Sequence, residues 1–237
     1  MPGVWLILPT YNEADNLEPL VRAVLAQLAT TGLPQTVLIV DDGSPDGTGQ
    51  VADRLAAELA PVRVLHRARK QGLGRAYLAG FETALDAGAE LVMEMDADFS
   101  HDPADVPRLI AAAGAADLVL GSRYVPGGGV ENWGLARRLI SRGGCAYARI
   151  VLGVPVRDLT GGFKCFNRRV LEGLDLNGVH ANGYGFQIEL TYKAVRAGYT
   201  VTEVPIVFRR RRMGVSKMTP PIALEAVWKV LALRLRR

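Results

Sequence analysis

The segment LVMEMDAD, residues 91–98, joins an apolar run to two aspartates spaced one residue apart. The run Leu91–Met95 has the length and composition of a strand buried on both faces. Carboxylates that follow such a strand are costly to bury without a partner, and a divalent cation is a common partner of converging oxygen ligands. Asp96 and Asp98 therefore predict a Mg²⁺ or Mn²⁺ site of the kind that serves phosphate chemistry.

The same two aspartates have a plainer interpretation. Aspartate is frequent in turns and helix caps, and a helix is expected after Pro103. A solvated turn before that helix would explain Asp96 and Asp98 without any ligand. An isolated Asp-x-Asp triplet does not distinguish the two interpretations, so the remaining sequence has to.

Apolar runs of strand length alternate with longer segments of helical periodicity in the first half of the chain. This alternation is typical of a doubly wound α/β fold with a mostly parallel central sheet and flanking helices. Asp42, Asp46 and Asp102 are candidate helix starts. The predicted strands are Val4–Leu8, Thr36–Val40, Val62–Leu65, Leu91–Met95 and Asp117–Leu120, and the predicted helices are Ala14–Ala29, Gly47–Leu59, Leu73–Ala87 and Pro103–Ala113.

Three loops that carry acidic residues follow predicted strands: Pro9–Glu13, Asp41–Asp46 and Asp96–Asp98. Ligands bind doubly wound sheets outside the carboxyl ends of the strands, so these loops are expected to converge on one crevice. The first loop lacks the GxGxxG pattern of a dinucleotide fold, which argues against a dehydrogenase. Instead it offers the aromatic face of Tyr11 and the carboxylate of Glu13 to a base and ribose.

Composition and charge narrow the class further. With 237 residues, 49% of them hydrophobic and 22% charged, the chain has enough apolar residues for a full core. Cys145 and Cys165 have neither zinc-site spacing nor a disulfide framework, which favours a reducing cytosol. The start of the chain does not resemble a signal peptide, and no apolar run approaches the roughly 20 residues of a membrane span.

The net charge is unevenly distributed. Residues 208–237 contain nine Lys or Arg and one acid, Glu225, whereas the whole chain carries a net charge of only +4. Such a basic end suggests nucleic acid or membrane phospholipid as a partner, although a solvated basic face is the plainer alternative. Nucleic acid is disfavoured because the cations are not interleaved with stacking aromatics and because the acidic crevice would be left unexplained.

Five motifs in order, followed by a basic segment, carry a family resemblance. Together they resemble the dolichol-phosphate or polyprenol-phosphate mannose synthase group of the inverting family-2 glycosyltransferases, which have the GT-A fold. The resemblance implies a catalytic domain over residues 1–218 and a C-terminal amphipathic, basic helix over 219–237. The motifs are Pro9–Glu13, Asp41–Thr48, Asp96–Asp98, Gly121–Tyr124 and Thr160–Lys164, and the basic segment is Arg211–Lys217.

The resemblance also implies an activity and a set of site residues. The activity is transfer of mannose from GDP-mannose to a polyprenyl or dolichyl-type phosphate, with Mg²⁺ or Mn²⁺; another donor such as UDP-glucose is the alternative. Ser100 stands where the family often has a glutamine metal ligand, so a hydroxyl or water must complete the metal shell. The residues implied are Pro9, Tyr11, Glu13, Val40 and Asp42 for the guanosine; Asp96, Ala97 and Asp98 for the diphosphate and metal; and Arg123, Arg211 and Lys217 for charge on the phosphates.

The chemistry of the acceptor removes the need for a strong general base. A phosphate monoester has a second pKa of about 6, so it is largely a dianion at neutral pH. The protein then has to align the two substrates and neutralise the leaving diphosphate. Gln187 and Glu189, on a helix predicted to run to about Ala197, are expected to orient sugar hydroxyls or basic neighbours. Arg123 is an alternative contact for the acceptor phosphate, with Arg137, Arg138 and Arg142 as further candidates.

Two later segments suggest a membrane surface. Asn132–Arg142 mixes bulky apolar residues with arginines, which suits an anionic membrane interface or, alternatively, a core helix with a basic outer face. Pro220–Arg237 is predicted to be a helix that anchors at the interface or docks on a small membrane subunit, in preference to simple packing on the domain. These segments predict a peripheral protein on the cytoplasmic face of a membrane. Thr200–Phe208 is predicted to be a strand that delivers Arg209–Arg212 to the crevice. His101 is predicted to be a turn or surface residue, with contact to the neighbouring acidic site as the alternative.

Overall fold

The computed structural model describes residues 3–176, 178–179, 183–209 and 220–235, with the backbone alone at Tyr184 and at residues 220–227. Strands and helices alternate through the first half, as predicted. The strands are β1 (Val4–Thr10), β2 (Gln35–Asp41), β3 (Val62–His66), β4 (Leu91–Glu94), β5 (Leu118–Ser122), β6 (Gly129–Val130), β7 (Lys164–Asn167), β8 (Val201–Pro205) and β9 (Val207–Phe208). The helices are α1 (Ala14–Ala29), α2 (Thr48–Glu58), α3 (Leu73–Asp86), α4 (Val106–Ala112), α5 (Leu135–Leu152), α6 (Arg168–Gly173), α7 (Tyr184–Arg196) and α8 (Pro220–Leu235), with a 3₁₀ turn at Pro103–Asp105 before α4.

The central sheet has the strand order β3-β2-β1-β4-β7-β5-β8. Its first four strands are parallel to one another, so β1, β2 and β4 all end at the same edge. β7 runs antiparallel to both β4 and β5, and β8 is again parallel to β5. The mostly parallel doubly wound sheet predicted from the sequence is therefore confirmed, and the antiparallel strand is an addition that the periodicity did not predict.

Both faces of the sheet are covered. One face packs residues such as Ile7, Leu38 and Leu120 against α3, α5 and α7, and the other packs Leu6, Ile39 and Val119 against α1, α2 and α4. Alternate residues of the same strand thus enter different cores, and each needs an apolar side chain. This is why β1, β2 and β4 are nearly continuous apolar runs in the sequence.

The predicted boundaries hold closely where local signals are strong. α1 has the predicted bounds, and the Asp102 side chain accepts a hydrogen bond from the Ala104 amide at 3.0 Å, as expected of a helix start. The proposal that Asp42 starts a helix is wrong. The residue before α2 is Gly47, in a left-handed conformation (φ 94°) that glycine adopts without strain, while Asp42 pairs with Arg67.

The second half adds the elements beside the edge. β6, which follows β5 in the chain, pairs in parallel with β9, which follows β8. α8 packs against α5 and α7 through contacts that include buried Val230, while Trp228 and Leu235 are exposed. None of the described helices combines the length and apolar composition needed to cross a membrane.

Candidate active site

The first two predicted loops meet through hydrogen bonds at the carboxyl end of the sheet. Thr10 and Asp41, the last residues of β1 and β2, are register partners, and the Thr10 hydroxyl donates to the Asp41 carboxylate at 3.2 Å. Ser44 also donates to Asp41, at 2.6 Å, and accepts from the Asn12 amide at 3.1 Å. Glu13 donates its amide to the Thr48 hydroxyl at 2.9 Å. The predicted convergence of these loops is thereby confirmed.

The residues predicted to hold the guanosine end of a donor line this junction. Pro9 and Val40 are register partners at the ends of their strands. Lys70 Nζ lies 3.9 Å from the centroid of the Tyr11 ring, so the face expected to receive a base is in contact with a cation. Asp42 is buried and paired with Arg67 at 2.5 Å. Burial raises the pKa of Asp42, and the neighbouring Arg67 only partly offsets this effect.

The acidic loop after β4 is compact and partly strained. Asp98 is buried, and its Oδ1 accepts a hydrogen bond from the Ser100 amide at 3.0 Å. Phe99 has a φ of 59°, a left-handed conformation that is uncommon for a bulky residue. Ala97 is buried, whereas Asp96 is partly accessible. The loop therefore holds its two carboxylates in different surroundings, one enclosed and one open to the crevice.

His101 supports the acidic loop; the prediction of a surface position is wrong, and its side chain contacts this loop, as the alternative interpretation had it. The His101 side chain is buried, stacked on Phe163 with ring centroids 5.0 Å apart, and its Nδ1 accepts from the Asp96 amide at 3.3 Å. Burial lowers the pKa of His101 to about 4, with Asp98 opposing the shift. A neutral imidazole can accept the amide hydrogen bond, whereas an imidazolium cannot.

The third side of the site comes from the turn before β7 and the start of α7. A Cβ at Gly162 would lie 3.6 Å from Asp96 Oδ1 and 3.4 Å from Gln187 Nε2, so the missing side chain leaves a gap between these two groups. Gln187 is buried. Glu189 is also buried and lies 3.3 Å from Lys193 Nζ one turn later on α7. The structure thus brings Gln187 to Asp96 and shows Glu189 paired with a lysine of its own helix.

Arg123, predicted to meet phosphate charge, is buried in an ion pair. Its Nε and Nη2 donate to the two oxygens of Asp158 at 2.7 and 2.6 Å, and Nη2 also reaches the Thr160 hydroxyl at 2.8 Å. Burial opposes the charge on Asp158, but Arg123 outweighs it and holds the pKa of Asp158 below its usual range. Asp158 was missed by sequence reasoning; its place two residues before the Thr160 motif was the available signal.

The strand that leads to the basic segment approaches the acidic loop as predicted. Arg209 donates its amide to the Ser100 carbonyl at 3.0 Å, and its guanidinium contacts Asp102 at 2.6 Å and Glu131 at 3.4 Å. The predicted phosphate ligands Arg211 and Lys217 lie outside the described residues. The backbone therefore reaches Ser100 at Arg209, the last described residue before the basic segment.

The chemistry of the available donors fits a cation that arrives with phosphate. No three His, Cys, Asp or Glu side chains lie close enough to hold a metal ion within the described ranges. The Ser100 hydroxyl oxygen is buried and makes no hydrogen bond to any residue described in the structure. Mg²⁺ is usually held by one or two carboxylates together with substrate phosphates and waters. Asp96, Asp98 and Ser100 match that pattern better than they match a closed protein cage.

The acidic, loop-lined crevice lies at the carboxyl edge of a mostly parallel sheet, an arrangement that belongs to the GT-A fold. The chain belongs to glycosyl transferase family 2, whose model matches residues 5–175, and it is a glycosyltransferase. The resemblance to the polyprenol-phosphate mannose synthase group is confirmed. Polyprenol monophosphomannose synthase of Mycolicibacterium smegmatis is 49% identical over 228 residues, which are 95% of this chain and 84% of that protein. Undecaprenyl-phosphate mannosyltransferase of Micrococcus luteus is 47% identical, over 96% of this chain and 92% of its own.

Solved structures support the fold independently. Glucosyl-3-phosphoglycerate synthase from Mycobacterium tuberculosis in complex with UDP has a TM-score of 0.70 at 20% identity, over 98% of this chain and 80% of that one. The same enzyme with Mn²⁺ and UDP-glucose has a TM-score of 0.69 at 21% identity, over 99% and 78% of the two chains. At this level of identity the likeness concerns the fold, and the predicted GT-A fold is confirmed.

Proposed function

We propose that the protein transfers mannose from GDP-mannose to a polyprenyl phosphate. The observation that carries the proposal is that Asp96 and Gln187 flank a gap at Gly162. This gap lies at the edge of the sheet where β1 and β2 end, at Thr10 and Asp41. Two relatives that share nearly half their residues with this chain are named for mannosyl transfer to polyprenyl phosphates. The proposed donor is oriented with its guanosine at Pro9–Glu13, Val40 and Asp42 and its diphosphate at Asp96–Asp98.

The reaction forms a bond between an acceptor phosphate oxygen and the anomeric carbon and breaks the bond from that carbon to the diphosphate. Attack from the side opposite the leaving GDP inverts the configuration. Since the acceptor phosphate is already largely a dianion at neutral pH, no side chain has to remove a proton. This agrees with the surroundings of Glu189, which is paired with Lys193 and is proposed to orient substrate hydroxyls.

A divalent cation, Mg²⁺ or Mn²⁺, would supply charge neutralisation at the leaving diphosphate when it is bound. Asp96, Asp98 and the Ser100 hydroxyl are the proposed protein ligands. The Ser100 amide donates a hydrogen bond to Asp98 Oδ1 and so helps to fix the orientation of this carboxyl group. Arg211 and Lys217 stay predicted contacts of the donor phosphates, outside the described residues.

Arg123 stays a proposed contact of the acceptor phosphate, although its ion pair with Asp158 points first to a supporting role. Its guanidinium lies 5.4 Å from the centroid of Phe208 and 5.9 Å from that of Trp133. Arg137 stacks on Trp133 at 4.0 Å. Trp133 thus lies between a buried arginine and a more accessible one, and Arg137 is the better placed of the two to meet a lipid phosphate.

The outer face of α5, defined as Leu135, Leu139 and Ile150 with Arg138, Arg142 and Arg149, is proposed to rest on an anionic membrane. Helical spacing places the three aliphatic residues in one stripe on the side away from the buried residues Cys145, Ala148 and Leu152, and it places the three arginines in a second stripe between these two groups. The aliphatic side chains are 72–79% exposed. The alternative of a core helix does not account for them, since a core helix buries its large apolar residues. The exposed Trp228 and Leu235 of α8, which packs on α5, extend the same proposal to the C-terminal helix.

An assay with radiolabelled GDP-mannose and a polyprenyl phosphate tests the activity directly. We expect label in the organic phase that depends on both substrates and on Mg²⁺ or Mn²⁺. UDP-glucose in parallel tests the donor: faster transfer from UDP-glucose would replace the proposed donor while leaving the reaction class intact. No transfer from either donor would reject the proposal.

A further inference from the structure

A buried charged pair that the proposed reaction does not use lies beneath the crevice. Glu94 and Lys164 are register partners in the β4–β7 pair, and both are fully buried. Burial raises the pKa of Glu94 to about 7 and lowers that of Lys164 to about 8, while each partially opposes the shift of the other. Burying two ionisable groups is expensive, and an apolar pair would generally hold the strands together as well. The pair is therefore a candidate for a role other than stability.

Lys164 determines the orientation of one particular amide. Its Nζ donates to the main-chain oxygen of Gln187 at 2.9 Å and to the side-chain oxygen Oε1 of the same residue at 2.5 Å. An ammonium group can only donate hydrogen bonds, so it binds the oxygen of a glutamine amide and not the nitrogen, which is also a donor. Lys164 therefore keeps Gln187 Nε2 on the side away from itself.

Gln187 Nε2 faces the gap at Gly162. It is buried and makes no hydrogen bond of ordinary geometry to any residue in the described part of the chain. It is near enough to Glu94 to lower that carboxyl's pKa, but an amide nitrogen has two hydrogens to donate. The Cβ position of Gly162 is 3.4 Å from Nε2 and 3.6 Å from Asp96 Oδ1. A buried donor with capacity left thus flanks the same gap as the carboxylate proposed to meet the diphosphate.

We propose that Lys164 is a positioning residue, which holds Gln187 so that its amide nitrogen donates to a hydroxyl of the donor's sugar in the gap at Gly162. This inference rests on the proposed function in that it takes a nucleotide sugar as the ligand. It adds that recognition of the sugar is built on β7 and α7, while recognition of the nucleotide is built on β1 and β2.

Binding of GDP and GDP-mannose to the full chain, measured by calorimetry with Mg²⁺ present, separates the sugar from the nucleotide. For Gln187→Met we expect Kd for GDP-mannose to rise about three- to tenfold, as for one lost hydrogen bond, with Kd for GDP within twofold of wild type. Gly162→Ala should give the same pattern, because a methyl group fills the gap at ordinary contact distances. Gly129→Ala is the matched control, since a Cβ there meets nothing within 4 Å.

Lys164 is tested in a form that keeps the interior neutral. Lys164→Met alone would leave the buried Glu94 carboxyl without its partner, so the variant used is Lys164→Met with Glu94→Gln. It should weaken GDP-mannose selectively, and adding Gln187→Met should cause little further loss, because both changes remove the same contact. Additive losses, equal weakening of GDP and GDP-mannose, or unchanged binding of both would overturn the proposal.

The wild type separates this inference from the proposed function. If it binds UDP-glucose in place of GDP-mannose, the proposed donor is wrong, and the same variants are compared on UDP and UDP-glucose with the same expected ratio. If it binds no nucleotide sugar, both proposals fail. If it binds GDP-mannose and the variants do not discriminate, this inference alone fails.

Discussion

The acidic edge of the sheet and the outer face of α5 both depart from the usual rule that charged side chains are exposed and large apolar ones are buried. At the sheet edge charged groups are buried: Asp98, Arg123 and Asp158 are all less than 7% exposed. On α5 large aliphatic groups are exposed, with Ile150 at 79%. Buried charges are costly unless they are paired or serve a ligand, and exposed apolar stripes are costly unless another surface covers them. The two departures indicate two different partners, one ionic and small, the other apolar and extended.

The largest expected effect is the loss of transfer on removing a carboxylate from the edge. Asp98→Ala should lower the rate about a thousandfold or more, because the divalent cation that neutralises the leaving diphosphate would lose one of its proposed protein ligands. The measurement is the organic-phase assay, with circular dichroism to check the fold. Asp105→Ala, at the 3₁₀ turn that follows, is the control and should retain activity. A variant of Asp98 that keeps most of its activity with added Mg²⁺ would contradict the assignment.

The second effect concerns stability at the same edge. Arg123→Met should lower the free energy of unfolding by about 3–5 kcal/mol, because Asp158 would be left as an uncompensated buried charge. Urea denaturation measures it, and adding Asp158→Asn should recover part of the loss. The Arg108–Asp105 pair provides the contrast: the Arg108 side chain is half exposed, so Arg108→Met should change stability by under about 1 kcal/mol. Equal losses for the two arginines would show that the burial of Arg123 carries no energetic weight.

A third effect tests the apolar side of the comparison. The double variant Leu139→Asp, Ile150→Asp should weaken binding to anionic vesicles about tenfold or more. Each aliphatic side chain that moves from water into the membrane interface contributes roughly 1–3 kcal/mol to the binding free energy. Co-sedimentation with phosphatidylglycerol vesicles measures this, and GDP-mannose binding should not change. Leu33→Asp is the matched control, because Leu33 is also an exposed leucine, at 41%, on another part of the surface. If the α5 variant binds vesicles as well as the wild type does, the outer face of α5 is not the membrane-binding surface.

The smallest expected effect is on stability, from removing an ordinary surface charge. It shows how little a charge contributes when it is neither buried nor bound to a partner surface. Arg54 and Arg22 lower the pKa of Glu18 to about 2 from a usual value near 4.5. A lowered pKa in the folded state contributes stability above pH 4.5 that is lost as the pH falls toward 2. Glu18→Gln should therefore lower Tm slightly at pH 7. The difference in Tm between wild type and variant should be smaller at pH 3. High salt should reduce the effect at pH 7, and a salt-independent difference would contradict a surface origin.

Local sequence signals were sufficient wherever the structure depends on periodicity. β1, β2 and β4 are buried on both faces and have continuous apolar runs, and α1 has the bounds that its spacing predicted. The convergence of Pro9–Glu13 with Asp41–Asp46 also followed from the sequence, because parallel strands must end at one edge. The position of Asp96 and Asp98 just after β4, at the same edge, follows for the same reason.

Residues whose role depends on a distant partner were missed or misjudged. His101 resembled a turn residue, yet it is buried because Phe163 and Phe208, far along the chain, stack around it. Arg123 was predicted to meet phosphate charge, and only the structure shows that it is paired with the buried Asp158. The apolar residues of α5 had two interpretations, and only the packing of Cys145, Ala148 and Leu152 against the core showed that Leu135 and Leu139 face outward.

The sequence by itself determined the alternating α/β pattern, the acidic strand ends and the family, because these depend on spacing and residue type along the chain. The tertiary structure decided which charges are paired, since an ion pair such as Arg123–Asp158 joins residues 35 positions apart. It also decided that Lys164 holds Gln187. That contact requires β7 to run antiparallel between β4 and β5, and no local periodicity encodes the place of a strand in its sheet.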